Sequence, residues 1–462
     1  MPVGSQAWLL ALPAVLVVYT RLGPRAQTWL VAGLGAFVLA LWDVRFVLVA
    51  FVTTAASFAV VQRLDWERPE ASRRRWFWLG VFIDVSVLVA FRVLVALTHG
   101  CVVCGLRLPV PSMALPLGIS FYTLARLTHL IEVYSRLERP TRSFLDLFAF
   151  TTFFPVLACG PIERASRMLP LFAERRHVTL AGVYEGAQLI LLGVFEKTVI
   201  ADHAAALENE LERGRNGALL ALFGVVTYAL QIFADFSGYS DIARGLARCF
   251  GVEVTVNFRA PYAATSITDY WRRWHISLST WLEDFVYRPT GMALRHLGGA
   301  ALVGATCVTF FVSALWHGTG VTFLIWGAIH AAGVSVHLHS RSLRKRLTAL
   351  APRTWRVVAT LLTFTTVCFG YVFFRAPNVA SAVVTLRELT HLSPWRPPKT
   401  DDLLEFGALA IAVVGLHELQ RKAVRPSLLA WPAWTRATCY AGMLFLITRL
   451  PGAAQRFIYL QF

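Results

Sequence analysis

Charged side chains are scarce in this chain, since only 15% of its 462 residues are Asp, Glu, Lys or Arg. Soluble globular domains carry roughly 25% charged residues. In place of charge the sequence has 56% hydrophobic residues and a mean hydropathy of +0.56. This scarcity of charge excludes an ordinary soluble protein.

The signatures of several common enzyme classes are also absent from the sequence. There is no GxSxG elbow, no HExxH, no P-loop and no dinucleotide fingerprint, so nucleotide hydrolysis and hydride transfer are poorly supported. Internal repeats and low-complexity tracts are missing as well. We therefore predict a single membrane domain over residues 1–462.

The positions of the cysteines predict neither a metal site nor a clear set of disulfide bonds. Cys101 and Cys104 form a CxxC beside His99, but no second pair completes a zinc site. We expect no metal there, and either a disulfide in an exterior loop or no bond at all. The other cysteines lie in or beside apolar runs, where a thiol acts as a small hydrophobic group: Cys159, Cys249, Cys307, Cys368 and Cys439.

Long apolar runs recur along the chain at the length of about 20 residues that a helix needs to cross a bilayer. The runs are continuous rather than alternating, which selects helices over a barrel. The sequence therefore predicts an all-α polytopic membrane protein with about 11 or 12 transmembrane helices. The predicted spans are 7–20, 27–41, 43–62, 76–98, 113–134, 180–203, 217–236, 299–315, 319–340, 357–375, 404–420 and 437–450. Two broken stretches, 144–161 and 261–297, are predicted to be re-entrant or to lie in the plane of the membrane.

The net charge of +17 comes from 44 Lys and Arg against 27 Asp and Glu. Basic clusters lie between the apolar runs, as the positive-inside rule predicts for cytoplasmic loops, where they also attract anionic lipid headgroups. No nucleic-acid module is present. The basic loops expected inside are 63–75, 136–142, 164–177 and 341–356, whereas the N-terminus and loops 99–111 and 376–402 are expected outside. The first apolar run, Leu9–Tyr19, is expected to be a retained helix rather than a signal peptide.

The informative region runs from residue 231 to residue 330, because polar groups at membrane depth indicate function. Within it, Ser266 to Arg288 is predicted to form a helix with one face of Trp and Leu side chains that lies near the interface. His275 falls beside that face and either anchors the helix or takes part in chemistry. His330 is predicted to be a structural histidine in the following run.

His317 follows one apolar run and precedes Gly318 and Gly320. A neutral imidazole in apolar surroundings suits a general base near neutral pH, although a packed histidine bonded to a carbonyl is the alternative. Such a base can deprotonate a hydroxyl that then attacks a thioester, with imidazole, indole or backbone N–H groups stabilising the oxyanion. This chemistry needs neither a metal nor a bound cofactor.

The motifs resemble the membrane-bound O-acyltransferase family, in the bacterial subgroup that contains the alginate O-acetylation and teichoic-acid D-alanyl transfer membrane proteins. The resemblance covers about residues 116–462. It rests on PLGISFYTLARLTHLIEVYSR, FFPVLACGPIERA, DFSGYSDIARGLARCFG, NFRAPY, WRRWHISLSTWLEDFVY, LWHG, FFRAPN and FIYLQF. The stretch from Tyr287 to Met292 departs from the alginate-type pattern, which favours a different donor partner or acceptor.

The resemblance implies a ring of helices around a central funnel where donor and acceptor meet from opposite faces of the membrane. It implies that the family's essential histidine is His317 and that its second active-site histidine is His275. The resemblance also implies two sets of residues near the catalytic chamber. One set is a motif that either binds substrate or holds helices together, and the other set lines the chamber. These residues are Asp235, Ser237, Tyr239 and Asp241 for the motif, and Asn257, Arg259, Trp274 and Trp316 for the lining.

The implied function is transfer of a short, acetyl-like acyl group from a thioester to a hydroxyl of an extracytoplasmic polysaccharide or cell-envelope glycan. The donor is expected to be an acyl carrier protein or acetyl-coenzyme A on the cytoplasmic side of a bacterial inner membrane, and a periplasmic acyltransferase partner is possible. Acylation of a small lipid-like or secondary-metabolite hydroxyl is the alternative within the enzyme class. A transporter or flippase, or a structural scaffold, is the alternative from another class, although transporters often show repeats that this chain lacks.

Overall fold

The computed structural model describes residues 6–98, 115–213, 217–390, 398–421, 431–453, 455 and 457. Every regular element in these residues is a helix, which confirms the all-α prediction. The chain forms two compact units, residues 1–190 with 243–255 and residues 191–242 with 256–462. The single-domain organisation stays a prediction, and the CxxC motif lies outside the described residues.

The described helices follow one another along the chain. The first unit contains α1 (Gln6–Arg21), α2 (Pro24–Trp42), α3 (Val44–Val61), α4 (Glu70–Thr98), α5 (Ile119–Tyr134), α6 (Phe144–Thr151) and α7 (Ala165–Ala173). Residues of both units belong to α8 (Leu180–Phe195) and α10 (Ala218–Cys249). The second unit contains a π-helix (Glu196–Ala201), α9 (Asp202–Arg213), α11 (Ile267–Trp271), α12 (Ile276–Leu282), a second π-helix (Glu283–Tyr287), α13 (Arg288–Ala293), α14 (Ala300–His317), α15 (Val321–His339), α16 (Arg341–Leu350), α17 (Pro352–Arg375), α18 (Val379–Thr390), α19 (Thr400–Arg421) and α20 (Ala433–Arg449).

Among the described residues, 7 helices are long and apolar enough to cross a membrane: α2, α3, α4, α10, α14, α15 and α17. Each of the other predicted spans also contains a helix, but a shorter or more polar one. Large apolar side chains face outward on the long helices, including Trp29 at 67% and Phe82 at 68% exposure. Such surface is unfavourable in water and suits a bilayer, so the chain is a polytopic membrane protein.

Two buried arginines of the first unit, Arg126 and Arg176, have charged or polar partners. Asp84 on α4 and Arg126 on α5 lie 2.8 Å apart with side chains almost completely buried. Arg176 donates to the hydroxyl of Tyr19 over 2.6 Å. Because an unpaired charge in an apolar interior is costly, these pairs explain how polar residues occur within an otherwise apolar unit.

The polar motif of residues 235–241 lies inside α10 rather than beyond its end. The predicted span ended near residue 236, whereas the helix continues to Cys249. That predicted end was wrong because the polar side chains find partners within the protein. The carboxylate of Asp235, for example, lies 2.9 Å from the ammonium of Lys197.

The continuous helix expected over residues 266–288 is broken in the structure. Its predicted start is correct, since the hydroxyl of Ser266 accepts from the backbone N–H of Asp269 over 3.1 Å. However, α11 ends at Trp271 and α12 begins at Ile276. The periodic pattern missed this break because backbone groups of an earlier segment replace the helical hydrogen bonds, as described next.

Candidate active site

His275 lies at the break between α11 and α12 and has a left-handed backbone, with φ 42° and ψ 53°. Left-handed geometry costs a residue with a Cβ roughly 1–2 kcal/mol, and such strain is often found at functional sites. The side chain is 1% exposed. Its ring packs edge-on against Phe236, with centroids 4.7 Å apart.

Asn257 holds this break in place from outside the helix. Its backbone carbonyl accepts from the N–H of Ile276 over 3.0 Å, and its side-chain oxygen accepts from the N–H of Ser277 over 3.1 Å. Its amide nitrogen donates to the hydroxyl of Ser240 at 3.4 Å. Asn257 therefore supplies the N-terminal cap of α12, and the imidazole of His275 makes no cap hydrogen bond.

His317 is the last residue of α14 and is 5% exposed. Its ring lies against the rings of Trp326 and Phe374, at centroid distances of 5.0 Å and 5.1 Å. Gly318 follows in extended backbone. A Cβ on Gly318 would lie 2.2 Å from the ring of Phe323, so only glycine lets that ring close over the end of the helix.

Trp316 joins the two histidines that the sequence singled out. The centroid of its indole lies 4.9 Å from that of His317 and 6.0 Å from that of His275. The structure thus brings His317, His275 and Trp316 together in one buried aromatic cluster. Apolar walls of this kind exclude water and strengthen electrostatic interactions within the site.

His330 lies behind this cluster. The ring of Trp326 contacts both His317 and His330, at centroid distances of 5.0 Å and 5.1 Å. The Nδ1 atom of His330 accepts from the indole N–H of Trp271 over 3.3 Å. That bond fixes the His330 ring and suits the structural role expected from the sequence.

Trp274 is buried in an aromatic layer beside the histidines. It stacks on Tyr270 with centroids 5.7 Å apart and an interplanar angle of 16°. It also contacts Tyr371 at 6.1 Å, and the hydroxyls of Tyr270 and Tyr371 share a hydrogen bond of 2.8 Å. Trp274 therefore belongs to the wall next to the cluster.

The residues of the predicted polar motif make contacts that tie helices together. Asp235 pairs with Lys197, and the hydroxyl of Ser237 accepts from the side-chain amide of Gln420 on α19 over 3.1 Å. The ring of Tyr239 lies 5.0 Å from that of Phe457. These contacts match the helix-holding alternative more directly than substrate binding, which stays a prediction.

Arg259 is exposed, unlike the other predicted lining residues. Its backbone N–H donates to the carbonyl of Arg273 over 3.0 Å. This bond belongs to the same segment, residues 256–259, that supplies the cap of α12. The described contacts of Arg259 are thus backbone contacts that support the break at His275.

The electrostatics of His275 follow from its burial between the spanning helices α10 and α14. Burial lowers the pKa of the His275 imidazole from 6.5 to about 3, because the charged form loses its hydration. The ring is therefore neutral at physiological pH. A neutral imidazole donates one N–H and accepts at its other nitrogen.

Sequence reasoning missed Lys197, whose ammonium lies 2.7 Å from Asp202 and 2.9 Å from Asp235. A lone lysine within the predicted span 180–203 was the available signal, since an ionisable group there calls for a partner. Phe374 was recognised only as part of the FFRAPN motif, although its ring contacts that of His317.

In the part of the chain that the structure describes, no group of three His, Cys, Asp or Glu side chains could hold a metal ion.

Comparison with known proteins identifies the family. The sequence model of the membrane-bound O-acyltransferase family, MBOAT, matches residues 36–383. The chain belongs to this family. It is therefore an acyltransferase of the membrane, and the resemblance read from its motifs is confirmed.

Several relatives are named for the transfer of acetyl or D-alanyl groups to peptidoglycan, alginate or teichoic acid. The chain is 29% identical over 422 residues to the peptidoglycan O-acetyltransferase of Helicobacter pylori, covering 85% of this chain and 78% of the relative. It is 32% identical over 428 residues to the probable alginate O-acetylase AlgI of Pseudomonas aeruginosa, covering 88% and 79%. It is 27% identical over 277 residues to the teichoic acid D-alanyltransferase of Bacillus subtilis, covering 56% and 68%.

Proposed function

We propose that this MBOAT protein moves a short, acetyl-like acyl group from a thioester to a hydroxyl of an extracytoplasmic glycan, with His317 as general base. The observation that carries the proposal is the cluster in which His317 and His275 both contact the indole of Trp316. Two buried imidazoles beside one aromatic wall supply a base and a hydrogen-bond donor in a site that excludes water.

In the proposed reaction an imidazole nitrogen of His317 accepts the proton of the acceptor hydroxyl. The hydroxyl oxygen then bonds to the thioester carbonyl carbon, and the carbonyl oxygen takes up the negative charge. When the C–S bond breaks, the carbonyl re-forms, and the leaving thiolate takes the proton back from the His317 imidazolium. The products are an ester and a thiol, so the atoms and charges balance without a bound cofactor.

His275 is proposed to stabilise the developing oxyanion. Because burial lowers its pKa to about 3, the ring is neutral and offers one N–H as a hydrogen-bond donor. A donor fixed in position before the reaction is worth roughly 3–4 kcal/mol in comparable oxyanion sites. The left-handed backbone and the Asn257 cap hold the ring in its place.

The donor is proposed to be an acyl carrier protein or acetyl-coenzyme A on the cytoplasmic side of a bacterial inner membrane. Both donors are acidic, and α16 presents exposed basic side chains, including Arg341, Lys345 and Arg346, in a loop expected inside. The relatives named for peptidoglycan and alginate acetylation support a glycan acceptor. A periplasmic acyltransferase that receives the acyl group first is a variant of the same proposal.

The test is thioester consumption by purified protein in nanodiscs, with and without a polysaccharide acceptor, and with acetyl-coenzyme A and acetyl-acyl carrier protein supplied separately. Wild type is compared with His317→Ala and His275→Ala. We expect acceptor-dependent loss of thioester that falls by at least about 100-fold in the His317 variant. The His275 variant should lose about 100- to 1,000-fold in kcat.

His339→Ala is the matched control, because His339 is exposed at the end of α15. Its activity should equal that of wild type. Equal activity in wild type and a folded His317→Ala would remove the general base and refute the mechanism. Thioester consumption that yields a glycan ester only in the presence of a glycan would in turn identify the acceptor class.

A further inference from the structure

The Ala260 turn, residues 260–262, follows the segment that caps α12 beside His275. Ala260 is left-handed, with φ 50° and ψ 61°, and a short 3-10 helix, Pro261–Ala263, begins directly after it. Ala260 is also completely buried. Backbone N–H groups away from water need partners within the protein, and a left-handed residue with a Cβ persists only where its surroundings enforce that geometry.

Two side chains of α19 supply the partners of this turn. The side-chain oxygen of Gln420 accepts from the N–H of Ala260 over 2.8 Å. The Nε2 atom of His417 accepts from the N–H of Tyr262 over 3.1 Å, and Pro261 between them has no N–H. Because His417 and Gln420 are three residues apart, they share one face of α19. One helix therefore binds both backbone donors of the Ala260 turn.

Further contacts fix the orientation of both side chains. The Nδ1 atom of His417 lies 2.9 Å from the carbonyl oxygen of Val413. Because a carbonyl only accepts, Nδ1 carries the proton and Nε2 is an acceptor. The His417 ring also stacks on that of Tyr262, with centroids 5.4 Å apart and an interplanar angle of 17°. The amide nitrogen of Gln420 donates to the hydroxyl of Ser237 on α10 over 3.1 Å, so neither side chain can turn away without losing a second contact.

The chain just before the Ala260 turn contacts the break at His275. Asn257, which caps α12, precedes Ala260 by three residues, a span of at most about 10 Å along the backbone. Between them, the N–H of Arg259 donates to the carbonyl of Arg273 over 3.0 Å. The segment is thus bound by α19 at one end and by the break at the other. A shift of the Ala260 turn would therefore move the oxygens that hold His275 in place.

We propose that His417 and Gln420 are positioning residues for His275, because they hold the Ala260 turn and, through Asn257, the break that carries the His275 ring. The catalytic consequence rests on the function proposed above, whereas the hold on the turn does not. Loss of either side chain leaves a backbone N–H without its acceptor, so His275 is correctly placed in only a fraction of the molecules. A hydrogen bond to the oxyanion exists only in the transition state, so kcat falls with that fraction while the KM for the thioester changes little.

The experiment measures two quantities in nanodiscs: the kinetics of acyl transfer, and hydrogen–deuterium exchange in peptides that cover residues 256–280. Gln420→Met keeps the length of the side chain but has no accepting oxygen. We expect its exchange in this region to quicken about tenfold and its kcat to fall about tenfold, with the KM for the thioester within about threefold of wild type. His417→Phe keeps the ring, lacks the acceptor and should behave alike. Gln420→Glu keeps an accepting oxygen, to which Ser237 can also donate, and should recover most of both quantities.

Ala260→Gly gives a second test that removes no contact of α19. Glycine adopts the left-handed conformation without the Cβ penalty, so adding Ala260→Gly to Gln420→Met should raise kcat at least about threefold above that of Gln420→Met alone. Glu418→Gln is the matched control, because Glu418 is an exposed residue of α19 that pairs with Arg421. Its exchange and kcat should equal those of wild type.

Faster exchange in Gln420→Met with an unchanged kcat would overturn the positioning role, and so would a lower kcat with unchanged exchange. A double variant with Ala260→Gly that gains no activity over Gln420→Met would count against it in the same way. If wild type itself transferred no acyl group, the proposed function would fail. In that case, quickened exchange in Gln420→Met would still support the hold of α19 on the Ala260 turn, and unchanged exchange would overturn it.

Discussion

Replacing Asn257 by Ala removes the oxygen that caps α12 next to His275. The N–H of Ser277, 2% exposed, then loses its acceptor at 3.1 Å. A buried donor without a partner costs about 1–3 kcal/mol, and loss of an N-cap costs about 0.5–2 kcal/mol. Both figures describe one lost bond, so we expect the free energy of unfolding to fall by about 2 kcal/mol.

The same change should reduce activity through His275. Its left-handed backbone costs roughly 1–2 kcal/mol and persists only while its surroundings enforce it. Losing about 2 kcal/mol of that support is enough to shift the population of a two-state arrangement more than tenfold. We therefore expect kcat for acyl transfer to fall at least tenfold, with a smaller change in the KM for the thioester.

The assay pairs steady-state kinetics with thermal unfolding in nanodiscs, and Asn257→Asp is the diagnostic variant. Aspartate keeps the accepting oxygen and suits the positive end of a helix, so it should recover most of the stability and kcat. If Asn257 instead bound substrate, the alanine variant would raise KM and leave stability unchanged. That result, or an aspartate variant as damaged as the alanine one, would refute the positioning role.

Three further predictions concern His275, Lys197 and the basic helix α16. Below pH 6.5 the His275 imidazole takes up a proton in the unfolded chain but not in the folded protein, where its pKa is about 3, so this residue lowers stability as pH falls. At pH 5 the loss in the free energy of unfolding is about 2 kcal/mol. Thermal unfolding at pH 5 and pH 8 should therefore show that acid destabilises His275→Gln less than wild type. Lys197→Met takes the shared cation from two carboxylates and should cost about 3–5 kcal/mol of stability with parallel loss of folded protein on gel filtration, whereas Lys197→Arg should retain most of it. The triple substitution Arg341→Glu, Lys345→Glu and Arg346→Glu should raise the KM for the acyl carrier protein thioester at least tenfold at low salt. If neither this substitution nor added salt changes that KM, α16 does not bind the donor.

The sequence was sufficient for the features that depend on local composition. Apolar runs predicted a helix at every proposed span, because a bilayer demands continuous apolar length. The predicted helix start at Ser266 also matches the start of α11, since capping is a contact between near neighbours. The predicted cluster of His317, His275 and Trp316 came from motif order rather than from any physical rule about distance.

Features that depend on contacts between residues distant in sequence could not be predicted from local composition. The break before His275 requires Asn257, which is remote in sequence and gives no periodic signal. The part of α10 past residue 236 has polar partners from remote segments, such as Gln420, which donates to the hydroxyl of Ser237. A cavity around Arg375 joins α9, α10, α17 and α18, and none of these segments alone suggests a pocket.

Both histidines contact the indole of Trp316, and this common contact affects how the activities of their variants are interpreted. Since Trp316 packs against His275 and His317 alike, removing either ring leaves space into which the indole can move toward the other. Neighbours with a common contact are energetically coupled, commonly by 0.5–3 kcal/mol. The separate losses of the two alanine variants will therefore not sum to that of the double variant, and only a complete double-mutant cycle can divide the catalytic effect between them.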